Sequence, residues 1–288
     1  MTSSSPKLIL LYKEKLHTRY ALTDLGPVSW LLGIQVMRNH ETRTILLSQE
    51  AYIKAIIACF SLVDAKAYST PMVPSTQYSK HDSLVSVTDA VRMRKVPYCE
   101  VIGSLMYASV ATHPDIMFSV SMLSQFLENL GEAHWEAVKQ VFRYLSGTCD
   151  VVLMYGGERH DLLGYTDADR ALQEHHQAIS GHAFIIDRGM ASWSLQKQEL
   201  VMLSTAEEEY VAAMHATKEG IWLCHLTGEI LTSKPESMTL YCDNQAALKL
   251  TQDDNYHMRM KHINIRYHFI QDVVEQGSLT CSTARWTI

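Results

Sequence analysis

Leu162-Leu163-Gly164-Tyr165-Thr166-Asp167 is a short apolar run ending on a carboxylate, and the segments around it decide how the second half of the chain folds. Its length and its Leu, Tyr and Thr content read as a strand. Similar runs occupy residues 151–155 before it and 181–186 and 190–195 after it. The spacing then predicts a long helix from residue 205 to about 229 and a strand over 238–242. A helix from Asn244, a helical run over 264–275 and a last short strand over 278–281 complete the series. A β-β-β-α-β-α order of this kind makes an α/β fold of the mixed, α+β sort, with carboxylates at the ends of its elements.

Toward the N-terminus the pattern is more helical. Residues 7–22 carry Leu and Tyr at helical spacing, and Asp24-Leu25-Gly26-Pro27 is a break. Two apolar-rich runs, 29–38 and 43–48, flank Asn39-His40-Glu41-Thr42 and read as a hairpin. Ser48 is placed to cap a helix over 49–61. Residues 66–95, with Pro71, Pro74 and many Ser and Thr, read as a linker or a surface crossing. Helices resume near Tyr98. Ile116, Val120, Leu123 and Leu127 form one apolar stripe, and Trp135, Val138, Phe142 and Leu145 form another. Lys139 and Arg143 sit one turn apart on a different face, open to two readings: a solvated surface or a phosphate-contacting one.

Composition narrows the class. Of the 288 residues 47% are hydrophobic and 19% charged, ordinary for a cored protein. With no apolar run of about 18 residues, a membrane span is not expected. The start, Met1-Thr-Ser-Ser-Ser-Pro6, lacks the pattern of a secretory signal. The 6 cysteines are far apart and form no C-x-x-C, which argues against zinc and fits reduced thiols inside a cell. A net charge of −6 argues mildly against gripping phosphates by bulk charge. Nucleic-acid binding would have to use local basic faces and bound metal.

Three acidic residues stand out by position: Asp167 after its strand, Glu209 in the first turns of the long helix, and Asp243 at the end of Met238-Thr239-Leu240-Tyr241-Cys242. Each alone has an ordinary explanation. An Asp after a strand serves a turn, and a Glu near a helix start complements the dipole. Together, in the order strand-Asp, helix-Glu, strand-Asp, they also suit a two-metal phosphodiesterase, which needs divalent cations about 3.5–4 Å apart. Hard oxygen donors of this kind suit Mg²⁺. Glu209, Ala212, Ala213, Ala216 and Gly220 share one helix side, small enough to bring Glu209 against a sheet. Glu207 and Glu208 point roughly 100° and 200° away, so one of the three glutamates faces the same place.

Ordered strings then carry a resemblance to the Ty1/copia-type retrotransposon Pol polyproteins, over nearly the whole chain. They include Leu47-Ser48-Gln49, Ser69-Thr70-Pro71-Met72, Ile102-Gly103-Ser104-Leu105-Met106-Tyr107, Thr112-His113-Pro114-Asp115-Ile116 and Arg143-Tyr144-Leu145. Further along come Gly164-Tyr165-Thr166-Asp167-Ala168-Asp169, Lys197-Gln198, Leu203-Ser204-Thr205-Ala206-Glu207, Asp243-Asn244-Gln245 and Lys261-His262-Ile263 with Arg266-Tyr267-His268.

The resemblance implies a reverse transcriptase C-terminal segment over 1–65, a linker over 66–95, connection helices over 96–155 and a ribonuclease H-like domain over 156–288. It implies cleavage of the RNA strand of an RNA–DNA hybrid with Mg²⁺ or Mn²⁺. Asp167, Glu209 and Asp243 match that fold's catalytic metal-binding acids, and Lys261, His262 and Arg266 match a basic stretch of the family that is open to two readings: substrate contact, or the solvated N-terminal surface of a helix. The family's polymerase signature, Tyr-x-Asp-Asp, is absent, so no polymerisation is expected of this chain. Residues 276–288 contain no Asp or Glu, so the fourth acid and its final helix are also missing, which should weaken the second metal. Two expectations follow: a weakened ribonuclease H-type nuclease, or an inactive remnant that at most binds nucleic acid, which the missing pieces favour. An intracellular location, cytoplasmic or nuclear, fits either.

Overall fold

The computed structural model describes residues 5–62, 66–74, 76, 78–79, 91, 93, 95–156, 162–169, 177–199, 204–230, 238–244, 264–277 and 279–283. They form seven α-helices and nine strands arranged around two sheets.

The first sheet is antiparallel, in the order β1 (Trp30–Leu31), β2 (Ile34–Asn39), β3 (Thr44–Ser48), β4 (Leu153–Tyr155). The β2–β3 hairpin falls where the turn residues point to it. Its Asn39 side chain accepts the Glu41 and Thr42 backbone N–H groups at 2.9 and 3.2 Å. Helix α1 (Pro6–His17) stands on the surface with Leu8, Leu10, Leu11 and Tyr12 exposed. Helix α2 (Glu50–Cys59) starts one residue later than the sequence suggests, yet the Ser48 hydroxyl still accepts the Glu50 N–H at 3.2 Å.

Helices α3 (Tyr98–Ala111), α4 (Met117–Ser124) and α5 (Glu132–Thr148) enclose one core with α2, built on Ile53, Ile102, Leu105, Leu123, Phe142 and Leu145. The stripe Ile116, Val120, Leu123 is buried as its spacing requires, but Leu127 is 41% exposed. Helix α4 stops at Ser124, so the turn beyond it no longer carries Leu127 onto the same face. Lys139 pairs with Glu136 and lies over the Trp135 ring, and Arg143 lies over Tyr68. Both cations are engaged within the surface of the protein.

The second sheet is mixed, ordered β7 (Gly189–Lys197), β6 (Ile179–Ile186), β5 (Leu163–Asp169), β8 (Met238–Cys242), β9 (Leu279–Thr283). Strand β6 is antiparallel to both neighbours, whereas β5, β8 and β9 run parallel. The β6–β7 turn places Asp187 and Arg188 at φ of 50° and 69°, the pair of left-handed conformations that a two-residue hairpin turn demands. Helix α6 (Thr205–Ile230) lies across this sheet and α7 (Asn264–Glu275) packs beside it, burying Phe184, Tyr210, Leu223, Leu240 and Ile270.

The small side of α6 does what its spacing predicts. A Cβ on Gly220 would stand 1.9 Å from the Met238 sulfur and 3.0 Å from the Phe184 ring, so any side chain there would force the buried Met238 side chain to move. Among the described residues no helix is long and apolar enough to cross a membrane. The helix expected from Asn244 lies outside the described residues.

Candidate metal centre

Strand β5 runs on through Asp167 to Asp169, so Asp167 belongs to the sheet and is not the turn residue that follows it. It lies opposite Gly181 of β6. Asp243 follows directly on β8, the strand that pairs with β5 on its other side. Both aspartates thus come from the same end of two adjacent parallel strands.

Glu209 arrives from the helix above them. The first turn of α6 is tied to the sheet by Gln198, just past β7. Its buried side-chain amide donates to Ser180 Oγ and to the Glu208 carbonyl, both at 2.9 Å. Glu209 is then held only 7% exposed. Its neighbour Glu208 is buried as well, at 1%, but turns to another side of the helix, as the helical angle requires.

Glu209 and Asp243 converge. One carboxylate oxygen from each, together with the Cys242 sulfur, lie within 4.8 Å of one another. Asp167 stands outside that tight group but within electrostatic reach of it. Burial pushes the Glu209 carboxyl up, and the charges of Asp167 and Asp243 add to the push, to about 8. A backbone hydrogen bond from Ala168 offsets part of the rise. Asp167 is raised too, by partial burial first and then by Asp243 and, less, by Asp169.

Cys242 is the neighbour that motif reading overlooked. Its thiol points at Glu209 Oε2 across 3.9 Å. The signal was present in the strand pattern: residues 238, 240 and 242 alternate inward, so Cys242 faces α6 while Asp243 leaves the strand exposed. Burial, then the surrounding carboxylates, raise this thiol to about 12, so in the metal-free protein it stays protonated. The ionisable donors left are hard carboxylate oxygens. Hard oxygen donors of this kind suit divalent cations such as Mg²⁺ or Mn²⁺.

Lys261 and His262 lie outside the described residues. Arg266 falls in the first turn of α7, with its side chain likewise outside the description.

A five-stranded sheet with its second strand reversed, a long helix across one face and acids at the ends of the central strands defines a ribonuclease H-like fold. A family model described as reverse transcriptase (RNA-dependent DNA polymerase) matches residues 1–74. The chain is 41% identical over 273 residues to the retrovirus-related Pol polyprotein from transposon TNT 1-94 of Nicotiana tabacum, covering 94% of this chain and 20% of that protein. It is 33% identical over 281 residues to the corresponding polyprotein from transposon RE1 of Arabidopsis thaliana, covering 97% and 19%. A foamy viral protease-reverse transcriptase solved in complex with dsDNA superposes with a TM-score of 0.43 at 9% identity, over 71% of this chain and 42% of that one. The chain belongs to the copia-type, retrovirus-related Pol polyproteins of transposons, and spans about a fifth of the length of the curated relatives it matches.

Proposed function

We propose that this chain carries a ribonuclease H-type centre that cleaves the RNA strand of an RNA–DNA hybrid, with residues 156–288 as the nuclease unit and residues 1–155 as reverse transcriptase-derived support. Asp167, Glu209 and Asp243 are the metal-holding catalytic residues in this reading. The observation that carries it is the approach of Glu209 and Asp243 beside Asp167, with the Glu209 carboxyl raised to about 8 by burial and by these two acids. Acids crowded this way repel one another, and a divalent cation between them removes the repulsion.

Bound divalent cations supply activation of a water and stabilisation of the leaving oxygen. The chain's own part is to orient. Gln198 fixes the start of α6 and with it Glu209. The parallel pairing of β5 and β8 sets Asp167 and Asp243 side by side. The Cys242 side chain fills the inner wall and excludes water behind Glu209. Lys261, His262 and Arg266 are assigned to the phosphates of the substrate.

The purified chain, incubated with a labelled RNA–DNA hybrid in Mg²⁺ and separately in Mn²⁺, should release RNA fragments. Asp167→Asn should lower the rate by at least about 100-fold, as loss of a group on which the reacting centre depends. Equal cleavage by both preparations would mark a contaminating nuclease. No cleavage by the wild type in either metal would leave the inactive, nucleic-acid-binding alternative.

A further inference from the structure

The face of the mixed sheet turned away from α6 carries a trough that runs up to the metal centre at Asp167. Trp193, Ala183, Tyr165 and Tyr241 lie in one row across β7, β6, β5 and β8. Tyr165 and Tyr241 stack at 5.1 Å. Ala183 is therefore a small floor between two ring-bearing neighbours. The adjacent row is Leu195, Gly181 and Asp167, where the floor residue has no side chain at all. Met117 and Phe118 of α4 flank the trough, leaving an open cleft of about 300 Å³ that reaches Asp167. The Trp193 indole is fixed across the lobe junction by donating its N–H to the Ser109 carbonyl at 2.8 Å.

A mostly apolar cleft with aromatic walls and a carboxylate at one end has the chemistry of a small-ligand subsite. Trp193 and Tyr165 give the trough aromatic walls, and the carboxylate end lies where a cation would hold a phosphate. Nucleobases stack on such rings without regard to sequence. A base paired within a duplex has both faces covered, so the trough suits an unpaired one.

We infer that this trough receives one unpaired nucleobase of a strand whose phosphate reaches Asp167. The inference deepens the nuclease reading and rests on it for the placement of that phosphate.

The probe is a ribotrinucleotide containing 2-aminopurine, whose fluorescence falls when the base stacks, titrated with the full chain in Mn²⁺. Wild type should quench it. Ala183→Leu fills the floor and should raise the half-saturation concentration roughly tenfold or more. Trp193→Phe keeps a ring and should still quench, whereas Trp193→Leu should not, so failure of one variant to fold leaves the other comparison. Cleavage of a fully paired hybrid is measured in parallel. Cleavage without quenching overturns the trough and spares the nuclease reading. Quenching that Ala183→Leu removes, without any cleavage, keeps base binding and removes the nuclease reading. Quenching indifferent to both Ala183→Leu and Trp193→Leu overturns the inference.

Discussion

At position 209 a carboxylate occupies a place that a neutral group would fill at lower cost. Its folded-state affinity for a proton is raised, so in the metal-free protein it contributes stability below the ordinary carboxylate range. That contribution is lost as pH rises through about 8. Glu209→Gln keeps the shape and removes the charge. In chelator at about pH 8.5 the variant should unfold above the wild type, by about 1–3 kcal/mol. It should also lose the rise in melting temperature that Mn²⁺ gives the wild type. Scanning fluorimetry with and without Mn²⁺ decides it: a wild type indifferent to Mn²⁺ has no metal centre here. Asp115 shows the opposite sign. Burial raises its carboxyl, but the His113 imidazole, with Nδ1 3.6 Å from Oδ1, and the hydrogen bond from Tyr144 outweigh that and leave it below its ordinary value. Tyr144 donates to Asp115 Oδ2 at 2.7 Å, and burial followed by this acid raises its own phenol to about 12. A lowered acid stabilises above its unfolded pKa and stops doing so as pH falls through the folded one. Tyr144→Phe should therefore melt below the wild type at neutral pH, with the gap closing on acidification below about pH 4. A gap constant with pH would assign the loss to packing.

The helix α6 is the element on which both core and site depend. Met238 and Phe184 press against Gly220, so Gly220→Ala should overpack the interface and cost about 1–3 kcal/mol. Gly103, on the exposed side of α3, has nothing within 4 Å of where a Cβ would stand. Gly103→Ala should stabilise by about 0.5–1 kcal/mol. Urea denaturation of the two variants measures the contrast, and equal effects would refute the close approach. Sequence periodicity anticipated this helix because its small side follows helical spacing without interruption: Ala212, Ala213, Ala216 and Gly220 are all buried. Strand β8 was equally legible, since its alternation begins and ends on residues 238 and 242. Other features were set by contacts that a local pattern does not carry. Leu127 had the right spacing for the core, but α4 ends before it. Asp167 looked terminal because the apolar run stops at Thr166, whereas pairing with β6 extends the strand to Asp169. Gln198 was visible as part of a family string, yet its role depends on Ser180 and the Glu208 carbonyl, which only the folded sheet brings to it.

Across the whole molecule two cores meet along β4 and β7. Tyr155 donates to the Met190 carbonyl there, Gly156 donates its N–H to the Asp187 carbonyl at 3.1 Å, and Trp193 reaches Ser109. The first sheet closes only when β4, more than a hundred residues along from β3, adds to its edge. No periodicity in either strand announces that partnership. The joined molecule carries a net charge of −6, which opposes a polyanion. Lys139 and Arg143 offer little relief, since one is paired with Glu136 and each lies over an aromatic ring. If the carboxylates of the second lobe hold divalent cations, these become the largest local charges in the site and reverse its sign. Binding of an RNA–DNA hybrid should then depend on the metal more than on bulk electrostatics. Fluorescence anisotropy at about 0.1 M salt should show affinity falling at least about tenfold when Mg²⁺ is replaced by chelator. With the metal present, the dependence on monovalent salt should be shallow, because few cationic side chains displace counterions. Binding that ignores chelator yet weakens steeply with salt would locate the interaction on a basic surface and remove the carboxylate centre from it.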